Sequence, residues 1–258
     1  MVLEGKGAVV TGGGRGIGAA VAGELARAGA AVVVAARSAE EVERVASLLR
    51  GEGHRAWAVR CDVTDAARVA ELGRAAREHL GRVDVLVNNA GVAASAPLKS
   101  VEPEDWERIF AVNVRGTYLC TREFLPDMLA AGWGRVINVA SIAGLSGAAY
   151  ISAYAASKHA VIGFTRSLAA EVAAEGVTVN AVCPGYVDTP MTDGSVAHIA
   201  AKTGLSADDA RERLKRMSPQ RRLFEPEEVA YLALCLADPR AKGVNGQAIV
   251  LDGGALLA

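Results

Sequence analysis

Cysteine is scarce and dispersed. Cys61, Cys120, Cys183 and Cys235 are the only four in 258 residues and none forms a C-x-x-C pair, which argues against a disulfide scaffold or zinc module and for reduced core thiols. His54, His79, His159 and His198 are equally scattered, so no metal site is expected. Long apolar runs are missing: runs such as Gly29 to Ala36 are far short of a membrane span, and Glu4 and Lys6 break the stretch that a secretory leader would keep apolar. A cytoplasmic protein is the expectation. There is also no charge excess, with 28 Lys and Arg against 29 Asp and Glu and a formal net charge of -1. Neither nucleic acid nor an anionic membrane is therefore an expected partner. Linker-like, repetitive and low-complexity tracts are absent, so one domain over residues 1–258 is expected.

What is present is an apolar chain punctuated by glycine. Hydrophobic residues make up 51% and charged residues 22% of the sequence, with a mean hydropathy of +0.22, a composition that folds. Gly7 to Thr11 is a short apolar run meeting Gly12-Gly-Gly-Arg-Gly-Ile-Gly18, after which Ile17, Val21, Leu25 and Ala28 recur at helical spacing. This reads as strand, tight turn and helix. Glycines let backbone approach a ligand, and free amides at a helix N-terminus attract phosphate. The spacing G-x-x-x-G-x-G departs from the G-x-G-x-x-G dinucleotide template, so a tight turn without a ligand is the alternative. Ala30 to Ala36 reads as a second strand, with Ser38 capping a helix over 39–50. An acidic side chain ending this strand would bind a ribose 2'-hydroxyl, whereas arginine suits a 2'-phosphate. The strand ends in Ala36-Arg37, Arg15 stands in the glycine loop and no acid is available. NADP(H) is therefore expected rather than NAD, a solvated Arg37 being the alternative.

Further strands are expected at Arg55 to Arg60, Val83 to Val87, Gly134 to Val139, Val177 to Cys183 and Gln247 to Leu251. Helices are expected at Ala66 to Leu80, from the opening Glu102-Pro-Glu-Asp105 to about Leu129, from about Tyr150 to Glu175, and at Pro226 to Leu236. Continuously apolar strands alternating with helices imply a parallel sheet covered on both faces, a Rossmann-type α/β/α sandwich. Ligands of such sheets sit beyond the strand C-termini at the switch of strand order. Gly12, Arg37, Asp62 and Asn88 to Gly91 all fall at such ends, and Ser141 reaches the same edge after the fifth strand. Asn113 is polar among Ile109, Phe110 and Val114, which by itself indicates a hydrogen-bonded core asparagine or a kink. The irregular stretch at about 190–223 is expected to be a lid over the substrate. Its basic cluster from Arg211 to Arg222 is either a solvated face or the seat of a phosphate-bearing handle such as coenzyme A or an acyl carrier's pantetheine.

Tyr154-Ala-Ala-Ser-Lys158 places a phenol and an ammonium four residues apart, on one face if the segment is helical. A neighbouring cation favours the phenolate, and the pair is a candidate acid/base. Alone, the same spacing is common on surface helices.

Taken in order, these motifs resemble the short-chain dehydrogenase/reductase family in its single-domain branch. The resemblance rests on T-G-x-x-x-G-x-G at Thr11 to Gly18, Asp62-Val63, N-N-A-G at Asn88 to Gly91, Asn113, Ser141, Y-x-x-x-K at Tyr154 to Lys158, and Pro184-Gly185. It implies a seven-stranded parallel sheet in order 3-2-1-4-5-6-7 with helices on both sides, and a homotetramer. It also implies roles. Tyr154 would donate the proton, Lys158 would lower the tyrosine's pKa and hold the nicotinamide ribose, and Ser141 would polarise the substrate oxygen. Asn113 would hold a water of a proton relay. Gly12, Arg15, Gly16, Ile17 and Gly18 would cradle the pyrophosphate, Asp62 and Val63 the adenine, with Asn89, Ala90 and Gly91 beside them. Val187 and Thr189, after Pro184 and Gly185, would contact the carboxamide. Arg37 and the segment Cys183 to Met191 are similar to 3-oxoacyl carrier-protein reductases and polyketide ketoreductases, although the lid departs from the shorter form of the fatty-acid enzymes. The implied activity is NADP(H)-dependent reduction of a ketone to a secondary alcohol. The alternatives are an NAD-dependent secondary alcohol or 3-hydroxyacyl dehydrogenase, and a cofactor-binding regulatory protein without turnover.

Overall fold

Strands apolar at every position have no face to give to water, and here both faces are covered. The computed structural model describes residues 1–257. Its strands are β1 (Gly7–Thr11), β2 (Ala31–Ala36), β3 (Ala56–Arg60), β4 (Val85–Asn88), β5 (Gly134–Val139), β6 (Val177–Pro184) and β7 (Ala248–Leu251). They form a seven-stranded sheet in the expected order 3-2-1-4-5-6-7, each pairing parallel. The helices are α1 (Gly16–Arg27), α2 (Ala39–Gly51), α3 (Ala66–Leu80), α4 (Pro103–Phe110), α5 (Gly116–Ala131), α6 (Ser152–Glu171), α7 (Pro190–Thr203), α8 (Ala207–Lys215) and α9 (Pro226–Ala237).

Side chains alternate along the strands between two cores. Val10, Val34, Val87 and Ile137 pack with residues of α1, α2 and α9, whereas Val9, Val33, Leu86 and Val136 pack with α3, α5 and α6. Each fully buried valine is worth about 1.5 to 3 kcal/mol of transfer free energy. That sum supports a row of polar groups at the sheet's C-terminal edge. Asn88 donates to Thr121 Oγ1 and to Asn138 Oδ1, both at 2.9 Å, and Asn138 donates to Thr165 Oγ1 at 2.8 Å, tying β4 and β5 to α5 and α6.

Two expected helices differ in outline. The one expected from Pro103 to Leu129 is divided: a π-helical turn, Ala111–Arg115, separates α4 from α5. Asn113, at its centre, accepts from the Val92 N–H at 2.8 Å and donates to the Val92 carbonyl at 2.9 Å. This tie to the loop after β4 outweighs regular α-winding, and π-turns typically mark such places. The helix expected to begin at Tyr150 begins at Ser152 because Tyr150 is held at φ +71°, outside the right-handed helical region. At the other end it gives way to a 3₁₀ turn, Ala173–Glu175. The irregular 190–223 stretch resolves into α7 and α8, parted by Gly204 at φ +74° and sharing a small core of Val196, Ala210, Leu214 and Leu223.

Candidate active site

The turn after β1 is shaped by what cannot fit there. Gly12 has φ +63°, and a Cβ on it would lie 2.8 Å from the Ala90 Cα. A Cβ on Gly18 would stand 2.3 Å from the Gly12 carbonyl oxygen and 2.4 Å from Asn89 Nδ2. Gly16, at φ +53°, packs against the Thr189 side chain. Thr11 locks the turn to the end of β4: its hydroxyl donates to the Val87 carbonyl and accepts from the N–H groups of Asn89 and Ala90. Asn89 Nδ2 donates to the Thr11 and Gly12 carbonyls, both at 3.0 Å. Arg15 precedes α1 without a side-chain cap, so the amides of Gly16, Ile17 and Gly18 are free to meet an anion. Open amides with no Cβ in front of them fit a dinucleotide pyrophosphate.

Arginines gather beside this cradle. Arg37 is exposed at the end of β2 and has no ion-pair partner among the described residues. Arg60, ending β3, donates to the Arg37 carbonyl at 3.2 Å, and Arg44 of α2 donates to the Gly14 carbonyl at 3.3 Å. Arg15, by contrast, turns to Glu41 at 3.4 Å. Asp62 accepts from the Thr64 N–H at 3.0 Å and the Thr64 hydroxyl at 2.8 Å. Burial pushes its pKa up, but those bonds and the Arg37 charge outweigh burial and hold the carboxyl below its ordinary value. Val63 is buried against Gly116, where a Cβ would come within 2.7 Å.

On the far side of the crevice α6 presents Tyr154 and Lys158. Lys158 is buried, and its Nζ donates to the Val139 carbonyl at 2.8 Å while lying 5.8 Å from the Tyr154 ring centroid. Burial pushes the ammonium down to about 8. Burial also pushes the Tyr154 phenol up, opposed in part by the nearby Ser141 hydroxyl. The expected lowering of the tyrosine by the lysine is thus absent from the protein alone, because the ammonium is directed to Val139 and desolvation dominates. Ser141 caps the turn Ile142–Gly144, accepting from the Ala143 N–H at 3.1 Å. Asn113 also donates to Ser157 Oγ at 3.0 Å, and that hydroxyl donates to the Tyr154 carbonyl at 2.7 Å. The Asn113 side chain therefore braces Val92 and α6. Gly91 lies between: a Cβ there would stand 3.5 Å from Asn113 Oδ1 and 3.7 Å from Lys158 Nζ.

A lysine whose native pKa is about 8 against an ordinary 10.5 leaves the native state holding fewer protons than the unfolded chain between those values. Stability therefore rises with pH across that window, and the penalty is fully present below it. Urea unfolding of the cofactor-free protein is expected to show a gain of up to about 3 kcal/mol between pH 8 and 10.5 relative to Lys158→Met. Equal pH dependence in the two proteins would contradict the assignment.

Beside the Ser141 turn opens a cleft of about 180 Å³, walled by Ile142, Ala148, Tyr186, Met217, Phe224 and Leu256 among others. Pro184 ends β6, Gly185 packs against Phe224 and Asp252, and Val187 is buried with its carbonyl accepting from the Thr192 hydroxyl. Thr189 precedes α7 in extended conformation. Much of the basic cluster is paired: Arg211 with Asp188 and Asp193, Lys215 with Glu212, Arg222 with Glu228. Lys215, Arg216 and Arg221 line a separate hollow with Glu212. Thr11, Arg44, Arg60, Ser157 and Tyr186 were not anticipated as site residues. Thr11 and Ser157 lie inside recognised motifs, whereas the arginines are visible only once β2, β3 and α2 are placed.

A glycine turn at the switch point between β1 and β4, with a tyrosine, a serine and a buried lysine on the same crevice, fits an oxidoreductase built around a nicotinamide dinucleotide. The chain belongs to the short-chain dehydrogenase family, whose profile, described as short chain dehydrogenase, matches residues 6–200. It is 44% identical over 248 residues to cis-4-hydroxycyclohexanecarboxylate dehydrogenase of Sinomonas cyclohexanicum, covering 96% of this chain and 95% of that one. It is 38% identical over 254 residues to D-beta-hydroxybutyrate dehydrogenase of Cupriavidus necator, covering 98% of each. Among solved structures, actinorhodin polyketide ketoreductase with NADPH matches with a TM-score of 0.94 at 37% identity, over 97% of both chains. Among the described residues no helix is long and apolar enough to cross a membrane.

Proposed function

We propose that the protein is an NADP(H)-dependent ketoreductase that converts a ketone to a secondary alcohol, with Tyr154 as proton donor. The arrangement that carries this reading is α6 bringing Tyr154 and the buried Lys158 up to the Ser141 turn, with an apolar cleft walled by Ile142, Ala143 and Tyr186 beside that turn. When bound, the cofactor supplies hydride to the carbonyl carbon. The carbonyl oxygen then gains alkoxide character, and two hydroxyl donors held in place stabilise that charge. Burial keeps the Tyr154 phenol protonated, the form required of the donor in reduction. Lys158, beside Gly91, would hold the ribose hydroxyls, and Asn113 would act by positioning α6 through Ser157. Val187 and Thr189, at the turn from β6 into α7, would contact the carboxamide. The segment 190–223 serves as the lid, supported by Leu214, Met217 and Arg222 in the cleft wall. A homotetramer in the cytoplasm completes the reading; exposed Trp106, Tyr118 and Leu129 on α4 and α5, and Tyr231 and Val250 on α9 and β7, support the assembly.

The preference for NADP(H) is supported by unpaired Arg37, with Arg60 bonded to its carbonyl and Arg44 on the glycine turn, and by the NADPH in the actinorhodin relative. Arg37→Ala is expected to lower the ratio of kcat/KM for NADPH over NADH by about tenfold or more, the scale of one charge-assisted hydrogen bond. An unchanged ratio would reject the 2'-phosphate assignment. The second reading, an NAD-dependent secondary alcohol or 3-hydroxyacyl dehydrogenase, draws support from Glu41, which takes up Arg15. Titration of both cofactors side by side separates the two.

A further inference from the structure

Tyr186 lies where the cleft meets the lid. Its carbonyl accepts from the Phe224 N–H at 2.9 Å, and its ring packs on the α7 and α8 core of Val196, Ala210, Leu214 and Leu223. The side chain lines the same cleft as Ile142 and Met217 and stands near enough to Tyr154 that a charged Tyr186 phenolate would raise the Tyr154 pKa. Burial pushes the Tyr186 phenol above its ordinary value, so at neutral pH it is an uncharged donor.

The other polar groups of that wall are committed. Arg222 is bound to both Glu228 oxygens, at 2.5 and 2.7 Å, and stacks on Phe224 with 4.6 Å to the ring centroid. Asp252 accepts from the N–H groups of Gly254 and Leu256. Ser218 donates to the Asp252 carbonyl and Ser146 to the Gly147 carbonyl. The Tyr186 hydroxyl makes no hydrogen bond to any described side chain or backbone group. Beyond Ser141 and Tyr154 it is the donor left for a ligand.

We infer that the Tyr186 hydroxyl binds a second, uncharged oxygen of the substrate, so that the enzyme prefers ketones bearing another carbonyl, hydroxyl or ester oxygen over simple ketones. The inference rests on the ketoreductase reading above and narrows its substrate class. An uncharged oxygen is favoured over a carboxylate because Arg222, the cation of this wall, is already neutralised by Glu228, and a carboxylate brought into an apolar cleft without a cation would lose its hydration uncompensated. Tyr186 also links recognition to the lid, since the ring that presents the hydroxyl is part of the α7 and α8 core.

The test is steady-state kinetics with saturating NADPH on cyclohexanone, cyclohexane-1,4-dione, ethyl acetoacetate and acetoacetate, for the wild type and Tyr186→Phe. The wild type is expected to favour the dione and the ester over cyclohexanone in kcat/KM by about tenfold or more, one net hydrogen bond. Tyr186→Phe is expected to remove about that factor through KM, with cyclohexanone changing less than about twofold, which also reports an intact fold. An unchanged substrate ratio, an equal loss on all ketones, or a preference for acetoacetate over its ester would each overturn the inference while leaving a ketoreductase. No turnover of any ketone would overturn the ketoreductase reading and this inference with it.

Discussion

Replacing Tyr154 with phenylalanine is expected to lower kcat for ketone reduction by about a thousandfold, within the range attributable to one positioned acid. The substitution removes a single oxygen. The substitution leaves the glycine turn around Gly12 and Gly18 and the Lys158 ammonium unchanged, so NADPH affinity measured by fluorescence titration should stay within a few-fold of the wild type. Neither neighbour can take over the proton: Lys158 donates to the Val139 carbonyl, and Ser141 is engaged with the Ala143 N–H and is far too weak an acid. The variant should also unfold at nearly the wild-type urea concentration, because the lost oxygen supports no backbone group. Turnover within about tenfold of the wild type would sink Tyr154 as the donor.

The second large effect is steric. Gly18→Ala puts a methyl group 2.3 Å from the Gly12 carbonyl and 2.4 Å from Asn89 Nδ2, two groups already bonded to each other at 3.0 Å. Backbone on one side and a fixed amide on the other leave nothing to yield, so the turn must open. NADPH affinity is expected to fall by about a hundredfold or more, and stability by roughly 1 to 3 kcal/mol, as for overpacking elsewhere. Gly163→Ala, in α6, is the control: a Cβ there meets nothing within 4 Å, and the change should be neutral or stabilising by about 0.5 to 1 kcal/mol. Normal NADPH binding by Gly18→Ala would show that the pyrophosphate lies elsewhere.

How much of this could be read from residues alone depended on distance along the chain. Strands such as Gly134–Val139 and the helix Ala66–Leu80 carry their own periodicity and end signals, and they appear with the expected bounds. The order of the strands followed from the family resemblance rather than from periodicity, which does not specify neighbours. The π-turn at Ala111–Arg115 was hidden because its cause is a bond from Asn113 to Val92, 21 residues away. The same holds for the electrostatics: spacing put Tyr154 and Lys158 on one face, but the lysine's preference for the Val139 carbonyl depends on where β5 ends. Arg15 looked like an open phosphate ligand until α2 brought Glu41 beside it. Tyr186 lay inside the recognised segment Cys183 to Met191, but its role comes from α7, α8 and the turn after β7 closing around it.

The join between β1 and β4 has a consequence for how long the protein persists. Thr11 reaches Val87, Asn89 and Ala90 across sequence separations of 76 to 79 residues, and it is there that the first βαβαβ half meets the rest of the sheet. On the proposed reading, a bound dinucleotide lies across that join, touching the glycine turn and Arg37 on one side and Gly91, Tyr154 and Lys158 on the other. A ligand that binds only the joined state holds it closed by mass action, by about 2.7 kcal/mol when present at a hundred times its dissociation constant. Openings exposed to proteases become rarer by the same factor. The abundance of the protein is thereby linked to the supply of its own cofactor, without any regulator other than the seam itself.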